Sequence, residues 1–441
     1  MKNKISFGTD GIRGDSDQFP FTKEALIQLG KAISKWALQK YNNEPNALIV
    51  YDTRFSSDRI KRNLSDTLAL NGITVWDGGV LPTPAVLQLM LSENQINFGI
   101  MISASHNPYQ DNGIKIFGGK NGKLTRKDEL VIESFFENPK ISILSNPKNK
   151  TVWSQAHNVY KSKILSLFKP NYFNGIKVVL DCANGATFKI GPEIFEALGA
   201  EVITIANKPN GKNINENCGA LHVKNLQKKV VTTNADAGFA FDGDGDRVIA
   251  VSKEGIIKDG DDLMALLLTH PKLKNTSTIV GTVMTNYGFD KYLQDMDKML
   301  IRTKVGDKYV SAKLEEKNLL IGGETSGHII IRDYLPTGDG IFAALCTLES
   351  IIINKNYYME SFAKFPQVLI NVPITKKDDL TKTLYSTLIN EHQEKMKQGR
   401  IIVRYSGTEN VLRVMTEDPS MQNAQSIAKS LANQLQKALC F

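Results

Sequence analysis

One pattern, repeated three times along the chain, constrains the fold more than any other feature of the sequence. Each copy contains three short apolar runs that alternate with helical stretches. The runs are 47–51, 73–76 and 99–102 in the first copy, 177–181, 201–205 and 237–241 in the second, and 278–282, 299–303 and 318–321 in the third. Short apolar runs bounded by turn residues are typical of buried strands, and their alternation with helices predicts α/β domains. We therefore predict three similar α/β domains with mixed sheets.

The rest of the sequence indicates a fourth, smaller domain. At 441 residues the chain is too long for a single core, and a prior of about 150 residues per domain suggests three or four domains. After Pro366 the order of elements changes to a strand, a Lys-rich helix, two strands and a helix, which predicts an α+β domain. We expect linkers at 137–154 and 251–261, and domains at 1–150, 151–252, 253–365 and 366–441.

Composition and charge exclude several classes of protein. The chain is 41% apolar and 23% charged, as in ordinary globular proteins, which argues against a disordered or fibrous protein. The formal charge is +8, but the Lys and Arg residues are scattered among acidic ones. This balance favours a small anionic substrate, and weak nucleic-acid binding is the less favoured alternative. We therefore predict no nucleic-acid partner, and the oligomeric state stays open, with a homodimer as one option.

The cysteines and the apolar runs bear on the cellular compartment. The four cysteines are far apart, with no Cys-x-x-Cys pair, so neither a zinc knuckle nor a disulfide framework is indicated. The N-terminus is charged from its second residue and leaves no room for a signal peptide, and no run of about 18 apolar residues occurs. These features predict a cytoplasmic protein with no membrane span.

The first chemically distinctive loop follows the apolar run 99–102. Pro108 disfavours a helix just before it, so residues 103–107 form an irregular loop that presents Ser105 on a turn. A serine hydroxyl beside a histidine, with the cation of Lys115 ten residues later, is a candidate nucleophile or phosphate carrier. The alternative is that these polar residues only satisfy hydrogen bonds of the turn.

The second loop, Asp242–Arg247, places three carboxylates at alternate positions with glycines between them. The glycines allow the loop to curl until Asp242, Asp244 and Asp246 face one point, and three hard anionic ligands suit Mg²⁺ or Ca²⁺. An EF-hand is excluded because Arg247 stands where that loop requires glycine. A solvated acidic turn is the alternative, although a preceding buried strand makes it unfavourable.

Three further loops combine glycines with charged or hydroxyl side chains. Residues 7–14 place three glycines around Asp10 and Arg13, so that the backbone can approach a ligand while the guanidinium binds an anion. Residues 322–328 bring together a carboxylate, a hydroxyl and a histidine, which suits sugar hydroxyls and proton transfer. Residues 404–413 join two arginines to two hydroxyls and a glycine, which suits a phosphate. Plain turns are the alternative in each case.

The loops that follow the third run of each copy are 103–108, 242–247 and 322–328. In α/β sheets, ligand groups lie in loops at the strand ends because the strand interiors belong to the core. We therefore expect these three loops to occupy equivalent positions in their domains.

With these loops assembled, the chain resembles the α-D-phosphohexomutase family nearly from end to end. Five signatures of that family occur in its order, and they are Phe7–Gly14, Ser103–Pro108 with Asp111–Lys115, Asp242–Arg247, Gly322–His328 and Arg404–Glu409. The resemblance implies four domains around a central cleft, the last with a different fold. Four positions depart from the commonest pattern of the family, and these are Thr325, Lys308, Tyr405 and Asn410.

The resemblance also implies roles for individual residues. Ser105 would be the phosphoserine, and Mg²⁺ would be held by Ser105, Asp242, Asp244 and Asp246. The residues around the reacting centre would be Arg13, Lys115, Arg247 and His328. Those that bind the sugar would be Lys304, Gly306, Asp307, Glu324 and Ser326. Those that bind the non-reacting phosphate would be Arg404, Ser406, Gly407 and Thr408.

The implied reaction converts glucosamine 6-phosphate to glucosamine 1-phosphate through a bisphosphorylated sugar, and it feeds UDP-N-acetylglucosamine and cell-wall precursor synthesis. Glucosamine or glucose 1,6-bisphosphate would be the activator. Mutases of glucose or mannose phosphates are the nearest alternative. From another class, Phe241–Asp244 is similar to the nucleophile motif of haloacid-dehalogenase-like phosphatases, but that motif normally has Thr or Val at Asp246 and leaves Ser105 without a role. A non-catalytic protein that binds a cation or a sugar phosphate is a third option.

Overall fold

The computed structural model describes residues 4–41, 44–118, 122–138, 146–406 and 410–439. The chain divides into two compact units. The first comprises Met1–Met284 and Ile301–Ser361, and the second comprises Thr285–Leu300 and Phe362–Phe441. Across the described residues, no helix combines the length and the apolar character needed to cross a membrane.

The first domain is built on a six-stranded mixed sheet in the order β1-β5-β4-β2-β3-β6. Its elements are β1 (Ile12–Asp15), α1 (Lys23–Lys40), β2 (Asn46–Tyr51), α2 (Ser57–Leu70), β3 (Thr74–Val80), α3 (Thr83–Ser92), β4 (Phe98–Ile102), β5 (Asp111–Gly118), α4 (Arg126–Phe136) and β6 (Lys150–Val152). Helix α1 begins at Lys23 because the Thr22 side chain accepts a hydrogen bond from the Ala25 N–H. Strand β4 is buried along its whole length, as its unbroken apolar run predicts.

The second domain repeats the plan with a five-stranded sheet in the order β11-β10-β9-β7-β8. Its elements are α5 (Ala156–Leu165), β7 (Lys177–Asp181), α6 (Ile190–Ala197), β8 (Glu201–Ile205), α7 (Lys224–Thr233), β9 (Ala237–Phe241), β10 (Val248–Ser252) and β11 (Ile257–Lys258). Strands β8 and β9 pair in parallel with β7, and β10 pairs antiparallel with β9.

The third sheet has four strands in the order β13-β12-β14-β15. The elements of this part of the chain are α8 (Gly260–Leu267), β12 (Thr278–Thr282), α9 (Tyr287–Asp295), β13 (Met299–Thr303), α10 (Asp307–Glu316), β14 (Ile321–Gly323), β15 (Ile329–Ile331) and α11 (Gly340–Ile353). Strand β14 pairs in parallel with β12 and antiparallel with β15, so this sheet is mixed like the other two. The predicted α/β class of the three domains is confirmed.

The second unit contains the predicted α+β domain. Its elements are β16 (Gln367–Pro373), α12 (Thr383–Lys395), β17 (Arg400–Tyr405), β18 (Val411–Glu417) and α13 (Met421–Leu439), together with α9. The strands form an antiparallel sheet in the order β16-β18-β17, and α13 packs on it through an apolar face that includes Leu431 and Leu435.

The two segments that we expect to be linkers each contain residues of an edge strand. Residues 150–152 of the first segment form β6, which pairs in parallel with β3 at the edge of the first sheet. The second segment contains the end of β10 and all of β11, which pair with each other in the second sheet. Neither strand was predicted, because short edge strands carry little apolar periodicity of their own and are stabilised by pairing with a neighbour.

The three sheets share one connection that determines where the polar loops lie. In each, the third strand of the repeat pairs in parallel with the first and is followed at once by an antiparallel partner, so a short loop joins these two strands at the same end of the sheet. These loops are 103–110 between β4 and β5, 242–247 between β9 and β10, and 324–328 between β14 and β15. The three polar loops therefore have equivalent positions in the three domains.

Aspartates also lie at the ends of β2 and β7, but their environments differ. Asp52, just after β2, accepts hydrogen bonds from the Arg54 Nε at 2.7 Å and from the hydroxyls of Ser57 and Ser103 at 2.9 and 2.6 Å. Asp181, the last residue of β7, is fully buried, and its Oδ2 has no hydrogen-bond partner among the described residues. Burial raises the pKa of Asp181 from 3.8 to about 6.

The raised pKa of Asp181 predicts a pH dependence of stability. The folded state binds this proton more tightly than the unfolded state, so the stabilisation is complete below pH 3.8 and is lost as the pH rises through about 6. The difference between the two pKa values corresponds to about 3 kcal/mol of unfolding free energy. We expect Asp181→Asn to lose less unfolding free energy than the wild type between pH 4 and 7, as measured by urea denaturation. Parallel pH profiles of the two proteins would contradict this prediction.

Candidate functional site

The loop after β4 brings the Ser105 hydroxyl to the second domain. Ser105 is fully buried and has a φ of 54°, a left-handed conformation that non-glycine residues seldom adopt. Its N–H donates to the Ser103 hydroxyl at 2.9 Å, and that hydroxyl donates to Asp52. The Ser105 Oγ donates to the Asp242 Oδ2 at 2.7 Å. The proposed phosphate carrier therefore contacts the acidic loop directly.

The acidic loop gathers its three carboxylates as its spacing predicts. One carboxylate oxygen from each of Asp242, Asp244 and Asp246 lies within 4.8 Å of the others, and all three residues are buried. Thr83, at the start of α3, donates its hydroxyl to Asp244 at 2.5 Å. The Oδ1 atoms of Asp244 and Asp246 are buried and lack a hydrogen-bond partner in the described part of the chain. Buried carboxylate oxygens without donors fit a divalent cation.

The buried ammonium of Lys115 lies against the same carboxylates. Lys115, on β5, contacts Asp244 at 2.7 Å, Asp246 at 3.3 Å and Asp10 at 2.8 Å, and its side chain is 1% exposed. Burial alone would lower the pKa of Lys115, but Asp10, Asp244 and Asp246 hold it well above its ordinary value. Lys115 is therefore a permanent cation that offsets part of the negative charge of the cluster.

The remaining charge is distributed unevenly over the three aspartates. Burial, together with the charges of Asp244 and Asp246, raises the pKa of Asp242 well above its ordinary value. Burial would also raise the pKa of Asp246, but Lys115 and His328 hold it well below that value. A cation bound at this point would favour the charged form of Asp242, because an opposite charge nearby lowers a carboxyl pKa.

A cavity of about 520 Å³ opens beside the cluster and is lined by loops of all three α/β domains. Its side chains with charge or hydrogen-bonding groups are those of Ser6, Thr9, Asp10, Arg13, His106, Asp246, Arg247, Asp307, Glu324, Ser326 and His328. Burial and the nearby charges of Arg247 and Arg13 lower the pKa of His106 to about 4, so its ring is neutral at pH 7. The cavity has room for a sugar-sized ligand and presents both arginines to an anionic group.

The five residues predicted to bind a sugar all belong to the third domain, and four of them line the cavity. Glu324 accepts a hydrogen bond from the Gly306 N–H at 2.9 Å, which joins the loop at β14 to the start of α10. His328 Nδ1 lies 3.6 Å from Asp246, and its Nε2 lies 3.9 Å from Asp307. Burial would lower the pKa of His328, but Asp246 and Asp307 raise it above 6.5. Lys304, also predicted to bind sugar, is exposed and is not among the cavity-lining residues.

The predicted phosphate-binding residues belong to the second unit. Arg404, on β17, pairs across the sheet with Arg413 on β18. Burial and the charge of Arg413 lower the pKa of Arg404. The backbone carbonyl of Ser406 accepts a hydrogen bond from the Lys377 Nζ at 2.9 Å. Gly407 and Thr408, the other two predicted residues, lie outside the described residues.

Four sequence families match consecutive parts of the chain, and each is described as a phosphoglucomutase/phosphomannomutase domain. The α/β/α domains I, II and III match residues 4–141, 157–255 and 259–367, and the C-terminal domain matches residues 369–434. A phosphoglucosamine mutase of Syntrophus aciditrophicus is 38% identical over 98% of this chain and 99% of that protein. The chain belongs to the α-D-phosphohexomutase family. Another phosphoglucosamine mutase, from Brucella abortus, is 40% identical over 93% of each chain.

Solved structures share the fold of this phosphohexomutase. A phosphoglucomutase/phosphomannomutase family protein from Burkholderia thailandensis superposes with a TM-score of 0.81 at 21% identity, over 99% of this chain and 98% of that one. The N-acetylphosphoglucosamine mutase of Aspergillus fumigatus, solved with GlcNAc-6P and magnesium, gives 0.68 at 17% identity, over 99% and 96%. The family membership makes the protein an enzyme of the isomerase class that transfers phosphoryl groups.

Several residues that contact this phosphohexomutase site were given no role from the sequence. Lys123 bridges Asp10 and Asp307, and so joins the first and third domains at the cavity wall. Arg54 and Asn215 donate to the backbone of the Ser105 loop. The sequence offered one indication for Arg54, its position in a polar loop after an apolar run. Neither Lys123 nor Asn215 lies in a recognisable motif.

Proposed function

We propose that this phosphohexomutase interconverts glucosamine 6-phosphate and glucosamine 1-phosphate, with Ser105 as the phosphoryl carrier. The observation that carries the proposal is the 2.7 Å contact between the Ser105 Oγ and Asp242, inside a cluster of three carboxylates. The phosphoglucosamine mutases that match nearly the whole chain support the choice of an amino sugar. Free, buried thiols at Cys182, Cys218 and Cys346 fit a cytoplasmic enzyme.

We assign Mg²⁺ to Asp242, Asp244 and Asp246, together with an oxygen of the phosphorylated Ser105. The two buried Oδ1 atoms that lack donors support this assignment. When bound, the metal ion offsets negative charge on the phosphoryl group as it transfers. The permanent charges of Lys115 and Arg247 act in the same direction, and Arg13 lines the cavity where the sugar phosphate would enter.

The proposed cycle has two transfers of opposite direction. In the first, the bond between phosphorus and the Ser105 Oγ breaks while a bond forms between phosphorus and a sugar hydroxyl, which gives a bisphosphorylated sugar and a free serine. The sugar then turns end for end, and its other phosphate returns to Ser105. The hydroxyl proton given up in the first transfer is regained in the second, so the cycle needs no net acid or base. Glucosamine or glucose 1,6-bisphosphate would supply the first phosphate.

The sugar is assigned to the residues that line the cavity in the third domain. Glu324 and Ser326 would accept hydrogen bonds from sugar hydroxyls, and Gly306 with Asp307 would orient the ring. His328, whose pKa is raised, would donate to an oxygen beside the reacting centre. The non-reacting phosphate remains assigned to Arg404, Ser406, Gly407 and Thr408.

Comparison of three substrates tests the proposal. We expect the highest kcat/KM with glucosamine 6-phosphate and lower values with the 6-phosphates of glucose and mannose. Intact mass after incubation with glucose 1,6-bisphosphate should show one added phosphate, acid-stable and mapped to Ser105. Acid-labile phosphate on Asp242 would instead favour the hypothesis of a haloacid-dehalogenase-like phosphatase. A preference for glucose or mannose phosphate would overturn the choice of sugar.

Metal binding makes a separate prediction. Adding Mg²⁺ to metal-free protein is expected to raise the unfolding temperature, because the ion binds only the folded state. Asp244→Asn should lose most of this shift, since it removes a charge from the cluster. The matched control is Asp181→Asn, which makes the same change at another buried carboxylate outside the cluster and should keep the full shift. An equal shift in both variants would contradict the metal assignment.

A further inference from the structure

Two side chains from different domains donate to the same pair of backbone carbonyls beside Ser105. The Arg54 Nη2 donates to the carbonyls of Ser105 and Asn107, both at 2.9 Å. The Asn215 Nδ2 donates to the same two carbonyls at 2.9 and 3.0 Å. We call this arrangement the two-carbonyl clamp. It restrains the backbone on the C-terminal side of the residue that we propose as phosphoryl carrier.

Arg54 anchors the clamp in the first domain. Its side chain is fully buried, and its charge is balanced by the equally buried Asp52 at 2.7 Å. Its Nη1 donates to the carbonyl of Asp111 at 3.0 Å and also to that of Pro108. One rigid guanidinium therefore connects the end of β2 to the whole loop between β4 and β5, a span that the single ammonium of a lysine does not reproduce.

Asn215 extends the clamp to the second domain. It has a φ of 59°, and its N–H donates to the Ala183 carbonyl at 2.9 Å. A Cβ placed on Gly243, in the acidic loop, would lie 2.5 Å from the Ser105 carbonyl and 2.8 Å from the Asn215 Nδ2. The acidic loop thus packs directly against the clamped carbonyl. This contact fixes the position of the Ser105 loop relative to the proposed metal ligands.

We infer that Arg54 and Asn215 are positioning residues for phosphoryl transfer, an inference that rests on the proposed role of Ser105. A left-handed serine costs about 1 to 2 kcal/mol, so it persists only where the surroundings impose it. Donors to the Ser105 and Asn107 carbonyls supply that constraint and point the Oγ at Asp242. Because a displacement of about 1 Å can cost 100-fold in rate, loss of one clamp donor slows the transfer without touching the sugar.

The test uses Asn215→Asp, which keeps the shape of the side chain but replaces its N–H donor with an oxygen that repels both carbonyls. Asn213→Asp is the matched control, because Asn213 lies in the same loop and its amide donates to the carbonyl of Lys208 instead. We expect Asn215→Asp to lower kcat by about 10- to 100-fold with KM within about threefold of the wild type. Asn213→Asp should keep both constants.

A second readout follows the phosphoserine without any sugar. Enzyme phosphorylated with glucose 1,6-bisphosphate is freed of sugar, and the release of inorganic phosphate from Ser105 is timed. In Asn215→Asp and in Arg54→Lys, the rate of release should change by at least about fivefold, since the phosphate no longer sits in its aligned position. A residue that only stabilises the fold would lower the unfolding temperature and leave this rate as in the wild type.

The outcomes separate the clamp from the proposed function. If the wild type takes up no phosphate on Ser105, the proposed function fails and the clamp fails with it. If the wild type is phosphorylated and Asn215→Asp matches Asn213→Asp in kcat and in phosphate release, the clamp alone is overturned. A fall in kcat that Asn213→Asp shares also overturns it, because the effect would then belong to the loop as a whole.

Discussion

Ser105→Ala is expected to abolish turnover, with kcat reduced by about 10⁴-fold or more, because the group that carries the phosphoryl is absent. The fold should survive. The substitution removes one hydroxyl, and burial has already raised the pKa of its partner, Asp242, so that carboxyl can take up a proton. Turnover of glucosamine 6-phosphate and intact mass after treatment with glucose 1,6-bisphosphate measure the effect.

Ser65→Ala serves as the control for this change. Ser65 lies on α2, and among the described residues its hydroxyl donates to the nearby Arg62 carbonyl alone. The variant should therefore keep both turnover and the added phosphate. Retained activity in Ser105→Ala would show that no phosphate passes through this serine. An added phosphate in that variant would place the carrier elsewhere in the chain.

Lys115→Met is expected to have the second largest effect, on stability as well as on activity. The variant leaves Asp10, Asp244 and Asp246 close together without their shared cation, and the loss of one partner from a buried ion pair costs about 3 to 5 kcal/mol. Activity should fall by about 100- to 1,000-fold, since a positive charge beside the transferring phosphoryl is lost. Mg²⁺ should restore part of the stability, because it neutralises the same carboxylates.

The control is Lys61→Met, in which a partly exposed lysine loses its ion pairs with Asp77 and Asp58, outside the site. We expect a loss of about 1 kcal/mol or less there, with unchanged kcat and no response to Mg²⁺ beyond that of the wild type. Urea denaturation with and without Mg²⁺ measures the stability of both variants. Equal losses in the two variants would mean that the carboxylate cluster does not depend on Lys115.

The convergence of the candidate metal ligands was predictable because it depends on local spacing. Three carboxylates at alternate positions with glycines between them can converge without help from the rest of the chain, and they do so. The strands before the first two polar loops could also be recognised, since a strand buried on both faces must be apolar along its length. The third predicted run, 318–321, shares only Ile321 with the observed strand β14. From the strand order, the meeting of Ser105 with Asp242 could only be hypothesised, because it joins residues of two domains.

There is a physical reason why the two-carbonyl clamp could not be predicted from the sequence. Arg54 and Asn215 donate to backbone carbonyls, and every residue has a carbonyl, so such contacts leave no pattern in the sequence. The bridge from Lys123 to Asp10 and Asp307 depends on how two domains approach each other. The strand pairings of β6 and β11 likewise depend on the neighbours that fold against them.

The amino-acid order alone determined the three α/β repeats, the smaller last domain and the loops that carry the candidate site residues, because apolar periodicity and close spacing act within a few residues. Only the tertiary structure decided which charges meet. It placed Lys115 among three carboxylates, fixed Ser105 in a left-handed conformation and left two carboxylate oxygens buried without donors. Those features arise from contacts between residues more than fifty positions apart, and several of these contacts exist only once the first two sheets have packed together.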